Sequence, residues 1–307
     1  MTPHLPLPHG VTLLERGWLS SNNVLIKGPT QCALVDSGYA SHATQTLALI
    51  GAELHGRTLD VLVNTHLHSD HCGGNAALQA RYPALQTLIP PGQSKHVATW
   101  DAYALSYTPT GQWCEPFTFT AALQPNTELE LGNQVWQIHA APGHDPNSVI
   151  LFEPDSRLLL SADALWGNGF GVVFPELDGD DAFAEVALTL DLIEALDAHT
   201  VIPGHGPAFS DVPAAIARAR RRLSGFVNDP AKHIRYAAKV LIKFKLLELQ
   251  HISVEALLDW ARTTHLVAHV HQADDASMGF DTWVTELVDE LVRSGAARRE
   301  PGMVRNA

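Results

Sequence analysis

A chain of 307 residues, 46% apolar and 17% charged, holds enough material for one large domain and a small one, and its composition excludes a disordered chain. The formal net charge of −13 gains nothing from a phosphate backbone, so nucleic acid is a disfavoured partner. The three cysteines, Cys32, Cys72 and Cys114, are odd in number and widely spaced, which excludes a disulfide framework and fits a reducing compartment.

Residues 1–10 carry three prolines and no Lys or Arg, unlike a signal peptide, and no later stretch approaches the roughly 18 apolar residues of a membrane span, so a cytoplasmic protein away from membranes is expected. Strands are predicted over Asn23–Lys27 and Cys32–Asp36, around a Gly28-Pro29 turn, then a helix over Ala43–Gly51. The β-branched run Leu59–Asn64 suits a buried strand, and Asn75 starts a helix to about Arg81. After a strand at Thr87–Ile89, residues 93–125 read as a helix and an irregular excursion rich in aromatics, Trp100, Tyr103, Tyr107, Trp113, Phe117 and Phe119. A second strand series follows at Gln134–Ala140, Ser148–Phe152 and Leu158–Ser161, then a helix over Asp181–Leu196 and a strand at Thr200–Pro203. Helices are then expected over Val212–Val227, Ala231–Leu249, Ser253–Thr264 and Asp281–Ser294, with a strand-like tail. The breaks at Ser224-Gly225 and Asn228-Asp229-Pro230 divide the chain into domains at 1–222 and 223–307.

The run Thr65-His66-Leu67-His68-Ser69-Asp70-His71-Cys72-Gly73-Gly74 has the pattern H-x-H-x-D-H, and it sits between an apolar strand and a helix start. In extended backbone, residues two apart point the same way, so His66 and His68 converge on one position while Asp70 and His71 lie past the bend and aim at another. Imidazole and carboxylate together suit zinc and similar divalent ions. One loop cannot close two coordination shells. His144, Asp163 and His205 supply the remainder, each just past the end of a predicted strand.

This set resembles the metallo-β-lactamase fold superfamily over roughly residues 10–215. The resemblance implies an α+β, four-layer αββα sandwich. It implies one metal on His66, His68 and His144, a second on Asp70, His71 and His205, and Asp163 as the bridge. Asp36, in Val35-Asp36-Ser37-Gly38, matches the family's acidic turn and is expected to support ligands rather than to be one. The bridging carboxylate resembles the glyoxalase II, lactonase and nuclease side of the superfamily rather than its β-lactamases. Flavodiiron relatives carry Glu where this chain has His68, and they add a flavin domain of which no segment is evident here. The run Asp145-Pro146-Asn147-Ser148 departs from the Thr and Gly-His that follow the corresponding Pro-Gly-His in glyoxalase II.

The implied cofactors are two divalent ions, zinc first, with iron and manganese accepted by the same ligands. The implied reaction is hydrolysis of a small ester or thioester by a metal-bridging hydroxide whose pKa falls from about 15.7 towards about 7, with Asp70 orienting the nucleophile and taking its proton. The competing reading is a metal-dependent phosphodiesterase or endoribonuclease, whose only support is the basic run Arg218, Arg220, Arg221, Arg222 and a C-terminal region resembling the winged-helix-like domain of some relatives. For that domain, packing on the catalytic domain, shaping the cleft and homodimer formation are all open roles. The loop Trp166-Gly167-Asn168-Gly169-Phe170-Gly171 is expected to bind substrate through Trp166, Asn168 and Phe170. His265, His269 and His271 have a metal-like spacing but read as a polar helix end or loop, and Cys72 reads as a small packed residue.

Overall fold

The computed structural model describes residues 5–307. The chain divides into two compact units. The first comprises the residues up to Asp101 together with Cys114–Leu223, and the second comprises Ala102–Trp113 with Ser224–Ala307.

The first unit is built on two sheets. The first sheet has the order β1 (Val11–Leu14), β2 (Asn23–Lys27), β3 (Cys32–Val35), β4 (Val61–Val63), β5 (Gln86–Ile89) and β6 (Ala121–Ala122). Its β1 to β3 strands run antiparallel and β3 to β6 parallel. The second sheet runs β11-β10-β9-β8-β7, from β7 (Thr127–Leu131), β8 (Gln134–Ala140), β9 (Val149–Glu153), β10 (Leu158–Ala162) and β11 (Thr200–Pro203).

Alternation along the strands explains the layers. Val24, Ile26, Ala33, Val35, Val61 and Val63 face Trp136, Ile138, Val149, Leu151 and Leu160 of the second sheet in one dry core. The residues between them, Leu25, Cys32, Leu34 and Leu62, face the other way and pack with Ile50, Leu54 and Leu78 of helices α1 (Ala43–Leu54) and α3 (Asn75–Arg81). Short helices α2 (Ser69–Cys72), α4 (Ser94–Thr99), α5 (Tyr107–Thr110) and α6 (Phe174–Leu177) lie in the connections, and α7 (Ala182–Leu196) buries Val186, Leu190 and Ile193.

The second unit follows α8 (Val212–Asn228), whose last turn belongs to it. It contains α9 (Pro230–Leu249), β12 (His251–Ser253), α10 (Val254–Thr263), α11 (His265–Asp275), α12 (Phe280–Arg293), β13 (Ala297–Glu300) and β14 (Met303–Asn306). The three strands form an antiparallel sheet of order β12-β14-β13. Ser253 caps α10 by accepting from the Ala256 amide at 3.1 Å, and α12 buries Trp283, Val284, Leu287, Val288 and Leu291 on one face.

The contact division falls at 223/224, within the continuous helix α8, and it adds Ala102–Trp113 to the smaller unit, an assignment that sequence breaks did not signal. There Tyr103 lies edge-on to His265, and Gly111 O accepts from Lys245 Nζ. The aromatics of 93–125 therefore split: Trp100 packs edge-on to Phe117 in the larger unit, while Tyr107 is buried in the smaller. Where a polar helix end or loop was expected at His265–His271, α11 runs on through it. Val267, Val270 and His271 form its inward face at helical spacing, and His271 Nε2 donates to Met278 O. Among the described residues no helix is long and apolar enough to cross a membrane.

Candidate metal centre

Strand ends at one edge of the two sheets carry the site. Asp36 ends β3, the H-x-H-x-D-H run follows β4, His144 follows β8, and Asp163 and His205 follow the parallel pair β10 and β11. Backbone bonds hold these ends in register. Val149 N donates to Thr65 O, Ser21 N to Asp70 O and Gly204 N to Ala162 O. The side chain of Asn22, buried before β2, donates to Pro203 O and Gly206 O on either side of His205. A register shift between Leu160 and Ala162 puts Ala162 at φ +46, and this bulge turns Asp163 into the site. Gly204 is required beside it, because a Cβ there would lie 2.2 Å from Asp163 Oδ1.

All seven residues expected from the sequence come together. Three sets each hold their donor atoms within 4.8 Å of one another: His66, His68 and His144; His66, His71 and Asp163; Asp70, His71 and His205. The outward nitrogens of three rings are spoken for. His71 Nδ1 donates to Asp36 Oδ2 at 2.7 Å and His144 Nδ1 to Val172 O at 2.5 Å. Thr65 Oγ1 donates to Asp36 Oδ2, which leaves its lone pair to accept from His66 Nδ1 at 3.2 Å. Each of these rings therefore turns its Nε2 towards the centre. His66 Nε2, His71 Nε2 and His205 Nδ1 are buried without a hydrogen-bond partner.

That donor set fits a divalent metal. Two nitrogens at zinc-bonding distance in tetrahedral geometry lie ~3.3 Å apart. Here His68 Nδ1 and His144 Nε2 are 2.8 Å apart. His144 Nε2 lies 3.4 Å from Asp163 Oδ2, His71 Nε2 3.5 Å from Asp163 Oδ1, and His205 Nε2 3.1 Å from Asp70 Oδ2.

The electrostatics divide the site. Burial pushes the His66 ring well below its ordinary value and takes His68 and His144 down to about 4, so these three stay neutral and keep their lone pairs. Burial acts on His71 in the same sense, but the Asp36, Asp163 and Asp70 carboxylates outweigh it and hold His71 well above. Burial would raise Asp163 and Asp70, yet His205 and His71 hold Asp163 well below its ordinary value, and His71 with His205 lowers Asp70. The carboxylate side draws positive charge, as a cation site must.

Some features were not legible in sequence. Trp18, in the loop before β2 and 55% exposed, stacks on the His205 ring at 5.4 Å with planes 7° apart. Phe174 stands edge-on to His68 at 5.3 Å. The buried carboxylate of Asp145 lies 3.7 Å from His68 Nε2, and the departure at 145–148 thus places a carboxylate behind the His68 ring. Isolated residues of these types carry no spacing signal. Of the expected substrate loop, Trp166 reaches the centre, its Nε1 donating to Asp163 Oδ1 at 3.1 Å. Asn168 is exposed at the loop tip, and Phe170 is 1% exposed beneath the Arg222 guanidinium, where a ligand meets it only if the loop moves. Of the basic run, Arg218 donates to Gly167 O, Arg222 to Asn168 O, and Arg220 pairs with Asp191 and Glu194. Cys72 is buried with its Sγ 3.9 Å from that of Cys114, both as free thiols.

Residues 16–205 match the family model described as the metallo-beta-lactamase superfamily. A hydroxyacylglutathione hydrolase of Synechococcus sp. (strain JA-3-3Ab) is 30% identical over 142 residues, 46% of this chain and 47% of its own length, so the chain matches about half of that relative. The acyl-coenzyme A thioesterase MBLAC2 of Homo sapiens is 23% identical over 228 residues, 67% of this chain and 81% of its own. A solved metallo-beta-lactamase family protein of Thermus thermophilus superposes with a TM-score of 0.60 at 17% identity, over 98% of this chain and 100% of that one, and so shares the fold.

Proposed function

The chain belongs to the metallo-beta-lactamase superfamily, and from that premise we propose that it is a binuclear metal-dependent hydrolase of small thioesters or esters. The observation that carries this reading is the pair of buried, unpartnered nitrogens, His66 Nε2 and His71 Nε2, aimed at the same cluster of donors. His66, His68 and His144 would hold one ion, Asp70, His71 and His205 the other, and Asp163 lies within reach of both sets. Zinc is the first candidate, with iron and manganese accepted by the same donors. When bound, such a pair lowers the pKa of water and polarises the substrate oxygen, supplying a nucleophile at neutral pH.

The chain's own residues do the rest. Asp36 fixes the His71 ring through Nδ1, and Asp70, part-exposed beside His205, takes the proton released as water attacks. Trp18 and Phe174 set apolar rings against His205 and His68 at the edge of the site. Thioesters are favoured because the two named relatives are a hydroxyacylglutathione hydrolase and an acyl-coenzyme A thioesterase. The phosphodiesterase reading loses support, because Arg218, Arg220 and Arg222 are engaged within the larger unit. We read the smaller unit as winged-helix-like yet unsuited to nucleic acid, since α12 before its terminal hairpin bears Asp281, Glu286, Asp289 and Glu290. The free thiols accord with a reducing, cytoplasmic setting.

The test is metal analysis followed by a substrate panel. Two equivalents of metal per chain and turnover of acyl thioesters are expected. Turnover of bis(p-nitrophenyl) phosphate or single-stranded RNA, with none of thioesters, overturns the substrate assignment.

A further inference from the structure

We propose that Trp166 is a positioning residue for Asp163: its indole N–H holds carboxylate oxygen Oδ1, on a loop pinned by two arginines of α8, and so sets the affinity of the centre for metal. This rests on the metal-centre reading above.

Asp163 is 4% exposed, and its carboxylate is surrounded by rings. His71 Nε2 lies 3.5 Å from Oδ1, while His144 Nε2 and His205 Nε2 lie 3.4 and 3.9 Å from Oδ2. The Trp166 contact, at 3.1 Å, is shorter than all three. An indole nitrogen donates only and cannot ligate a metal. It therefore occupies one lone pair of Oδ1, fixes the plane of the carboxylate and leaves the remaining lone pairs to the centre. A hydrogen bond of this kind to a ligating carboxylate tunes both its orientation and its basicity.

The loop is built to hold that indole still. Gly171 N donates to Asp163 O at 2.9 Å, and Trp166 N to Gly169 O at 2.6 Å, closing the segment on itself. Ser161 Oγ donates to Leu165 O at 2.6 Å. From outside, Arg218 Nε donates to Gly167 O at 2.7 Å, and the Arg222 guanidinium lies over the Phe170 ring and reaches Asn168 O. Gly169 has φ +125, and a Cβ there would lie 2.8 Å from Arg222 Nη1, so a glycine lets the arginine seat. The basic run thus has a use inside the larger unit: Arg218 and Arg222 fix the loop, the loop fixes Trp166, and Trp166 fixes Asp163.

The rival role for Trp166 is a wall for the substrate, since its ring stands edge-on to Trp18 at 5.4 Å and to His205 at 5.6 Å. Trp166→Phe separates the two, because it keeps an apolar ring and removes the donor. Zinc affinity is measured by competition with a chromophoric chelator on the full chain, for wild type, Trp166→Phe and Arg218→Met. Because Asp163 belongs to both proposed ion sets, zinc binding is expected to weaken roughly 10- to 100-fold in Trp166→Phe. Arg218→Met weakens zinc binding less, and carries the test if Trp166→Phe does not fold. At limiting zinc kcat falls with KM near wild type, and excess zinc restores it. Wild-type affinity for both equivalents in Trp166→Phe overturns the proposal, as does a raised KM with unchanged zinc binding. A wild type that holds two zinc ions but hydrolyses no thioester overturns the substrate assignment alone. A wild type that holds no zinc overturns both.

Discussion

The larger unit gathers Asp36, Asp70, His71, Asp163 and His205 inside its strand ends, whereas the smaller unit gathers Arg235, Lys239, Asp274, Glu286 and Glu290 near its surface. The two clusters are closed differently. In the smaller one every charge meets an opposite charge, and Asp274 also accepts from Trp283 Nε1 at 2.6 Å. In the larger one His66 Nε2 and His71 Nε2 face the cluster of donors, buried and without a hydrogen-bond partner. A buried polar atom without a partner costs roughly 1–3 kcal/mol, so a protein keeps two together where something else completes them. One cluster is finished by its own chain and serves stability. The other is unfinished by its own chain, as the proposed metal centre requires.

Substitutions test that contrast, and the largest effect is expected at the unfinished cluster. His66→Ala or Asp163→Ala should abolish turnover, by on the order of 1,000-fold or more, and lower bound metal. Full turnover in either variant would refute the assignment. Asp36→Asn comes next. Asp36 accepts from Thr65 N, Thr65 Oγ1 and His71 Nδ1, and its φ of +57 is tolerated by Asn, so the substitution removes charge without forcing the backbone. Metal affinity is expected to fall roughly 10- to 100-fold, measured by chelator competition.

How much of this was legible differs between the two units. In the larger, the clustered histidines and aspartates follow from short spacing within one run and from residues just past strand ends, so reading strands was enough to bring them together. What sits behind them was harder. Asp36 was legible because an acidic turn closes a strand, but Trp18 and Asp145 reach the rings across sequence separations that leave no pattern. The boundary strands β1 and β7 were missed, since Thr12, Glu128 and Glu130 break the apolar runs used to recognise strands. In the smaller unit, α11 was missed because three histidines masked an amphipathic helix, and His271 proves to be an inward-facing core residue. The segment Ala102–Trp113 joins that unit through contacts made more than a hundred residues away, which local reading cannot see.

Acid is expected to act on the two clusters by opposite chemistry. His68 and His144, at about 4 in the fold against about 6.5 unfolded, are depressed bases. Their contribution is present above about pH 6.5 and lost as pH falls towards about 4, because the unfolded chain binds the protons first. The metal-free protein should therefore lose thermal stability across that window. Metal occupying the same lone pairs should deepen the loss by being released. Glu290 behaves as a paired acid. Burial would raise it, but Lys239 and Arg235 hold it below its ordinary value, so its contribution persists above about pH 4.3 and fades only as pH falls further. Thermal midpoints of metal-free protein that stay flat between pH 6.5 and 4 would contradict the first part.

The smallest effect is expected where the cluster is already closed. Arg235 donates to Asp274 at 2.7 Å, to Glu290 at 2.8 Å and to Glu286 at 3.3 Å. Surface pairs of this kind contribute little singly, and Glu286 is half-exposed and easily solvated. Asp274 is different, because its side chain is only 7% exposed and would keep only the Trp283 N–H among these partners. Arg235→Met preserves much of the aliphatic stem and removes the charge. It should destabilise the chain by about 1–2 kcal/mol, read as a fall in the chemical-denaturation midpoint, through the stranded Asp274 carboxylate. Asp274→Asn on top of Arg235→Met should recover part of that loss, since the remaining carboxamide oxygen still accepts from Trp283 and no charge is left unpaired. Metal content and kcat are expected to stay at wild-type values in both variants. A loss of metal from either would mean that the closed network also supports the open one, and the division between the two clusters would fail.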